Sequence, residues 1–176
     1  AIEKGTNRDD FINGQVDKYK WVSLGSSFVL SNLQIAFLFG QLERTTYVTQ
    51  TRSSVWYSYH EKLKELETAG CLTRPSIEPG ASINGHIYYV RLASRFNRAC
   101  VINSLKCEGI NVLSHYEPLH CSPAGIKFGR ISGKLDITKD ASSKLIRLPI
   151  WPQISEEQIN KVVNQLERVL LSDQHA

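Results

Sequence analysis

Apolar residues recur most regularly near the end of the chain, where Ile159, Val162, Val163, Leu166, Val169 and Leu170 stand three and four positions apart or side by side. That spacing places them on one face of a helix, and Ser155-Glu156-Glu157-Gln158 ahead of them has the form of a capping box. A second stripe, Val48, Val55, Tyr59, Leu63 and Leu66, predicts a long helix that ends at Ala69-Gly70. Its charged residues Glu61, Lys64 and Glu65 fall off the apolar face. Between Leu30 and Leu42 the pattern changes. Leu30, Leu33, Ile35, Ala36, Phe37, Leu38, Phe39 and Leu42 point in nearly every helical direction. A helix apolar all round has no face for water, so this one is expected to be buried in a larger body or an interface, with Ser31 as N-cap.

The middle of the chain alternates elements and loops. Residues 73–84 are a Pro/Gly loop, and His86–Leu92 reads as a strand. A helix over 95–108 is closed by Gly109, and Ile110–Ser114 reads as a second strand that delivers His115 to its end. The tract from His115 to Gly133 is loop-rich. A short helix near Asp140–Leu145 precedes a Pro-flanked segment, Leu148–Pro152. Residues 5–29 show no sustained period and read as a long ordered loop or a short hairpin, with Tyr19 and Trp21 among polar neighbours. The sum is an α+β chain: a buried helix, a long helix, and a small sheet covered by two or three helices.

Composition narrows the class. Hydrophobic residues make up 41% and charged residues 22%, which excludes disordered and fibrous classes. A chain of 176 residues is expected to form one ordinary core that buries roughly 70% of its unfolded surface. No run approaches the ~18 apolar residues of a membrane helix, so the chain reads as soluble. It opens at Ala1 without a methionine, which reads as a cut. The net charge of +4 is scattered, with Lys18/Lys20 and Lys62/Lys64 as the densest pairs, so no basic stripe tracks a nucleic-acid backbone. Such a balance fits a solvated surface, or a phosphorylated small ligand. Cys100 and Cys107, seven apart on a helix, stand about 10.5 Å apart along it, beyond disulfide reach. The four cysteines read as reduced thiols packed as small hydrophobes.

The densest polar cluster is His115-Tyr116-Glu117-Pro118-Leu119-His120-Cys121. Two imidazoles, a phenol and a thiol at a strand end could serve a ligand, bind a metal, or be a plain surface loop. A metal would need further ligands from afar, such as His86, and no metal is expected. Gly25-Ser26-Ser27 ahead of an apolar helix could receive phosphate or simply cap the helix. No Walker or dinucleotide fingerprint is present, and no G-x-S-x-G elbow supports acyl chemistry.

Taken together, several segments are recognisable. Glu3-Lys4-Gly5-Thr6-Asn7-Arg8, Gly14-Gln15-Val16-Asp17-Lys18-Tyr19, and Gly25-Ser26-Ser27-Phe28 with Ser31-Asn32-Leu33-Gln34 closely resemble a family of pyridoxal-phosphate-dependent sugar-nucleotide aminotransferases of fold type I. The resemblance continues through His115-Tyr116-x-Pro118-Leu119-His120 and Cys121-x-Pro123-Ala124-Gly125, and closes with Arg147-Leu148-Pro149. It covers residues from about 3 to about 170. The wider family has G-x-N-x-R-M before S-x-L-Q; here Ser27, Val29 and Leu30 stand in the Asn, Arg and Met positions. The Ser-Ser form is similar to the dideoxygalactose branch of the family, and no substrate contact carries over to Val29.

The resemblance implies transfer of an amino group from glutamate to C4 of a dTDP-4-keto-6-deoxy sugar by a cytoplasmic homodimer that uses pyridoxal 5'-phosphate. It implies that this chain is the carboxy-terminal portion of that enzyme. Residues 1–45 would be an active-site loop and buried helix at the junction with a large domain. Residues 46–176 would be the small α+β domain, an antiparallel-type sheet packed with helices plus a long interdomain helix. Ser26 and Ser27 would approach the cofactor phosphate across the dimer. His115, Tyr116 and His120 would orient the sugar nucleotide, and Tyr19 and Trp21 would line its entrance. The family's Schiff-base Lys lies upstream of the stretch resembling Gly5–Arg8, and none of the eleven lysines here sits in its context. No catalytic residue is therefore assigned, and the chain alone is expected to bind no cofactor and to be inactive. The alternative is a non-catalytic module that binds a nucleotide sugar.

Overall fold

A computed structural model describes residues 7–16, 20, 22, 24, 30–114 and 117–172. The chain divides into two compact units, Ala1–Thr45 and Thr46–Ala176. In the first, a short helix α1 (Arg8–Ile12) follows Asn7, whose amide donates to the Lys20 carbonyl (3.2 Å) and whose Oδ1 accepts from the Lys20 amide (2.6 Å). These two bonds tie residue 7 to residue 20, where a long loop or a hairpin was expected. Helix α2 (Asn32–Glu43) starts where its pattern predicts. Ser31 Oγ accepts from the Gln34 amide (3.4 Å) while Gln34 Oε1 accepts from the Ser31 amide (3.0 Å), a full capping box. Within this chain α2 stays uncovered. None of its residues is buried, and Leu33 and Phe37 are 82% and 72% exposed.

Helix α3 (Thr45–Lys62), which belongs to the second unit from Thr46 on, runs almost without a break into α4 (Lys64–Thr68). The α3 sequence is rich in Thr, Ser and β-branched residues, poor helix formers, so packing is what holds it. Val55, Trp56 and Tyr59 of α3, with Leu63 and Leu66, are buried on the predicted stripe, which also gains Trp56. A four-stranded antiparallel sheet lies beyond, built from β1 (Leu72–Thr73), β2 (Tyr88–Leu92), β3 (Leu113–Ser114) and β4 (Leu145–Leu148) in the order β1-β2-β4-β3. Tyr88 faces Leu148 and Val90 faces Ile146 in the register, and strand alternation sends Tyr88, Val90, Leu92, Ile146 and Leu148 into the core. Helices α5 (Arg98–Cys107) and α8 (Glu156–Ser172) pack on each other and complete the core with Val101, Leu105, Ile159, Val162, Leu166 and Leu170. The capping box of α8 forms as predicted, with Gln158 N to Ser155 Oγ at 3.2 Å and Ser155 N to Gln158 Oε1 at 2.9 Å. The α+β architecture is that of the sequence reading.

Several boundaries differ. The strand expected over Ile110–Ser114 pairs only at Leu113–Ser114, because Ile110 is committed to closing α5: its amide donates to the Leu105 carbonyl (3.0 Å) and the Gly109 amide to Lys106 (2.9 Å). Ile110 and Val112 still point into the core. The tract expected as loop contains a 3-10 turn (Leu119–Cys121) and helix α6 (Pro123–Phe128). The short helix expected near Asp140 is α7 (Asp136–Lys144), and Leu145–Leu148 is a strand central to the sheet. Of the cysteines, only Cys71 is buried as expected; Cys100 and Cys107 are exposed, and none is in a disulfide.

Gly85 shows how tightly α3 meets the loop before β2. Its φ is +63°, and a Cβ there would lie 2.4 Å from the Arg52 carbonyl carbon. Nearby, Ser53 Oγ donates to the Ile83 carbonyl (2.9 Å). Gly85→Ala is expected to destabilise the chain by roughly 2–3 kcal/mol through strain and clash. A urea midpoint equal to that of the parent would contradict this.

Candidate functional site

Among the residues to which the sequence points, Tyr19, Trp21, Ser26, Ser27, His115 and Tyr116 lie outside the described residues. Of that group, His120 is described. It sits in the 3-10 turn Leu119–Cys121, which closes through Cys121 N to Pro118 O (2.8 Å) and Ser122 N to Leu119 O (3.2 Å). Ser122 then caps α6, its Oγ accepting from the Gly125 amide at 3.0 Å, with Pro123 at the first helical position. The turn folds back so closely that a Cβ on Gly125 would lie 1.7 Å from the Leu119 carbonyl oxygen. Only glycine fits there, which gives Cys121-x-Pro123-Ala124-Gly125 a physical reason.

This fold-back opens a cleft of about 320 Å³ between the turn and the loop after α6, with Leu119, His120, Gly125, Gly129, Arg130 and Ser132 among its walls. His120 is half-buried, and its Nε2 is buried without a hydrogen-bond partner among the described residues. Arg130 is exposed and forms neither an ion pair nor a hydrogen bond with the described residues. Lys127 reaches over the Phe128 ring at 5.0 Å. Arg130 and Ser132 were not singled out in the sequence, because one arginine in a Gly/Ser loop has no periodic signal. A cationic fork, an imidazole and a hydroxyl stand around this small cleft, whose remaining walls are glycine and aliphatic, with no nucleophile–base pair among them.

A second polar cluster is structural. Arg74, just after β1, pairs with Glu67 through Nε (2.7 Å), donates its amide to Glu67 Oε1 (2.7 Å), and donates from Nη1 to the His60 carbonyl. His60 stacks on Trp56 with ring centroids 4.7 Å apart. Burial pushes the Glu67 carboxyl up, but the bonds from Arg74 outweigh it and hold the group below its ordinary value. Burial, and then the Arg74 charge, lower His60, against smaller opposing contributions from Glu61 and Glu67. The folded chain therefore favours neutral His60, so the unfolded chain binds more protons as pH falls. This contribution is present above about pH 6.5 and is lost below it. Denaturation at successive pH values should show a small acid loss that His60→Gln removes; an unchanged loss in the variant would place its source elsewhere.

The motif Arg147-Leu148-Pro149 also has a structural reading. Leu148 is in the core, and the Pro149 carbonyl accepts from the Tyr59 hydroxyl at 2.9 Å. Among the described residues no three His, Cys, Asp or Glu side chains converge as a metal site, and no helix is long and apolar enough to cross a membrane. Pyridoxal phosphate needs an amine held inside a pocket. The described lysines are exposed or half-buried and none lines the cleft, so the described residues do not supply that group.

Residues 4–167 match the DegT/DnrJ/EryC1/StrS aminotransferase family. Among curated relatives, the chain is 27% identical over 155 residues to the erythromycin biosynthesis sensory transduction protein EryC1 of Saccharopolyspora erythraea, covering 88% of this chain and 41% of that protein. It is 24% identical over 149 residues to dTDP-3-amino-3,4,6-trideoxy-alpha-D-glucose transaminase of Micromonospora megalomicea, covering 83% and 39%. Among solved structures, Helicobacter pylori PseC, an aminotransferase involved in the biosynthesis of pseudoaminic acid, superposes with a TM-score of 0.79 at 20% identity, covering 97% of this chain and 44% of that one. The chain thus spans about two-fifths of the length of the curated relatives named.

Proposed function

Because this chain belongs to the DegT/DnrJ/EryC1/StrS family of pyridoxal-phosphate-dependent sugar aminotransferases, we propose that it works as the carboxy-terminal part of a transaminase moving an amino group from glutamate to C4 of a dTDP-4-keto-6-deoxy sugar. The model for the substrate is dTDP-4-amino-4,6-dideoxygalactose transaminase, whose product feeds surface-polysaccharide synthesis. The observation that carries the reading is the family match over residues 4–167. The name of the Micromonospora transaminase supports a dTDP sugar. The Ser26-Ser27 form supports the dideoxygalactose branch. In this reading residues 1–45 meet a large domain and the partner of a homodimer, and residues 46–176 form the small domain. Ser26 and Ser27 face the cofactor phosphate, while His115, Tyr116 and His120 orient the sugar nucleotide, with Tyr19 and Trp21 at its entrance. The residue that binds the cofactor covalently would belong to the part of the enzyme that this chain does not match.

The test is a substitution in the assembled enzyme. His120→Ala should lower kcat/KM for the nucleotide sugar about 10- to 100-fold, the loss of one or two oriented hydrogen bonds, while the half-reaction with glutamate is largely kept. Equal loss in both half-reactions would point to folding or cofactor binding instead. Binding of the sugar without any turnover would favour the non-catalytic module.

A further inference from the structure

Ile-Asn-Gly occurs twice in the chain, as Ile12-Asn13-Gly14 and as Ile83-Asn84-Gly85. Asparagine before glycine is a reactive pair, because glycine has no Cβ to keep its backbone nitrogen away from the amide carbon of the preceding side chain. Both asparagines are exposed. The two sites share their local sequence and differ in structure. The Gly14 amide donates to the Phe11 carbonyl (3.1 Å) in the turn that follows α1. The Gly85 amide donates to nothing among the described residues. Asn84 Oδ1 accepts from the His86 amide at 3.0 Å, an Asx-turn that folds the side chain back toward the Gly85 peptide. The same bond holds a donor on the oxygen that gains charge when Asn84 Cγ is attacked.

We propose that Asn84-Gly85 is a site of spontaneous deamidation, and that its isoaspartyl product unseats the loop ahead of β2 from α3. The Gly85 nitrogen gives its proton to water and attacks Asn84 Cγ. The C–N bond of the side-chain amide breaks, and ammonia leaves with a proton from water. Water then opens the cyclic imide. Attack at Cγ returns the ordinary backbone with aspartate at position 84. Attack at the main-chain carbonyl gives isoaspartate, in which the backbone runs through Cβ and Cγ and gains a methylene just before Gly85. Gly85 has no room for that shift: a Cβ there would lie 2.4 Å from the Arg52 carbonyl carbon and 2.6 Å from its oxygen. The bond from Ser53 Oγ to the Ile83 carbonyl depends on the same seating. Asn13 is held back, because its attacking nitrogen must first leave the Phe11 carbonyl.

The test is ageing of the folded chain at neutral pH, followed by proteolysis and mass spectrometry of the peptides that carry Asn13 and Asn84. Asn84 should convert about fivefold or more faster than Asn13, the factor set by one hydrogen bond that must break first. In urea both sites lose their structure, and the two rates should come together. Enzymatic methylation of isoaspartate identifies that product at position 84. Chains that carry it should show a lower urea midpoint, a loss that aged Asn84→Gln escapes because its longer side chain cyclises poorly. The two sites are compared within the parent chain, so the rate ratio does not depend on a variant. The proposal is overturned if Asn13 converts as fast as Asn84, or if the ratio persists in urea, which would assign it to sequence. An isoaspartyl chain with the parent midpoint overturns it as well.

Discussion

Tyr59→Ala is expected to cost the second unit about 3–5 kcal/mol, the range for removing a large aromatic from a packed core. Tyr59 is 0% exposed, and its ring lies against Tyr88 at 5.3 Å between centroids. Its hydroxyl donates to the Pro149 carbonyl across 90 residues of sequence, so one side chain joins α3 to the chain leaving β4. Tyr59→Phe separates the two roles. It keeps the packing and leaves a carbonyl without its donor, a loss of about 1–2 kcal/mol. Native stabilities are only about 5–15 kcal/mol, so the alanine variant should be partly unfolded at physiological temperature. Chemical denaturation of the three proteins checks this. A Tyr59→Ala chain as stable as Tyr59→Phe would mean that the cluster repacks without a cavity.

The second large effect concerns association. The chain is expected to self-associate through α2, and Phe37→Asp with Phe39→Asp should abolish it. Leu33, Ile35, Phe37, Leu38, Phe39 and Leu42 are all exposed on one helix. A contiguous apolar patch of several hundred Å² normally marks a partner surface. Covering it would contribute on the order of 10 kcal/mol before the costs of association, at about 25 cal/mol per Å². Because no residue of α2 is buried, the double variant should keep the fold of the second unit. Light scattering and circular dichroism measure the two halves of the claim. A parent chain that stays monomeric at high concentration would contradict the first, and a double variant that unfolds would contradict the second.

The elements that could be read from the sequence are those with many turns of consistent period. The α8 stripe and its Ser155–Gln158 capping box were visible because five buried residues repeat along one face. Strand β4 was hidden. It has four residues with Pro149 directly after it, and only Ile146 and Leu148 reach the core, too few to show alternation. Strand β1, two residues long, has no period at all. Helix α6 carries no such signal, because Pro123 and Gly125 are breakers in most contexts; here Ser122 supplies the cap that makes proline suitable at the first position. The candidate site was legible only in part. His120 was found through resemblance of its motif, not spacing. Arg130 joins it only because the chain doubles back at Gly125, a close approach that hydrophobic periodicity does not encode.

The four cysteines differ in access in a way that supplies a built-in clock. Cys100 and Cys107 face solvent, Cys121 is half-buried, and Cys71 is sealed between α4 and β1 with 0% exposure. A thiol reagent in excess would therefore modify the outer sulfurs quickly and reach Cys71 only when that part of the core opens. The slow phase would report how often the core breathes, through local opening free energy. Because Arg95 donates to the Cys71 sulfur at 3.3 Å, the same measurement senses the loop after β2 as well.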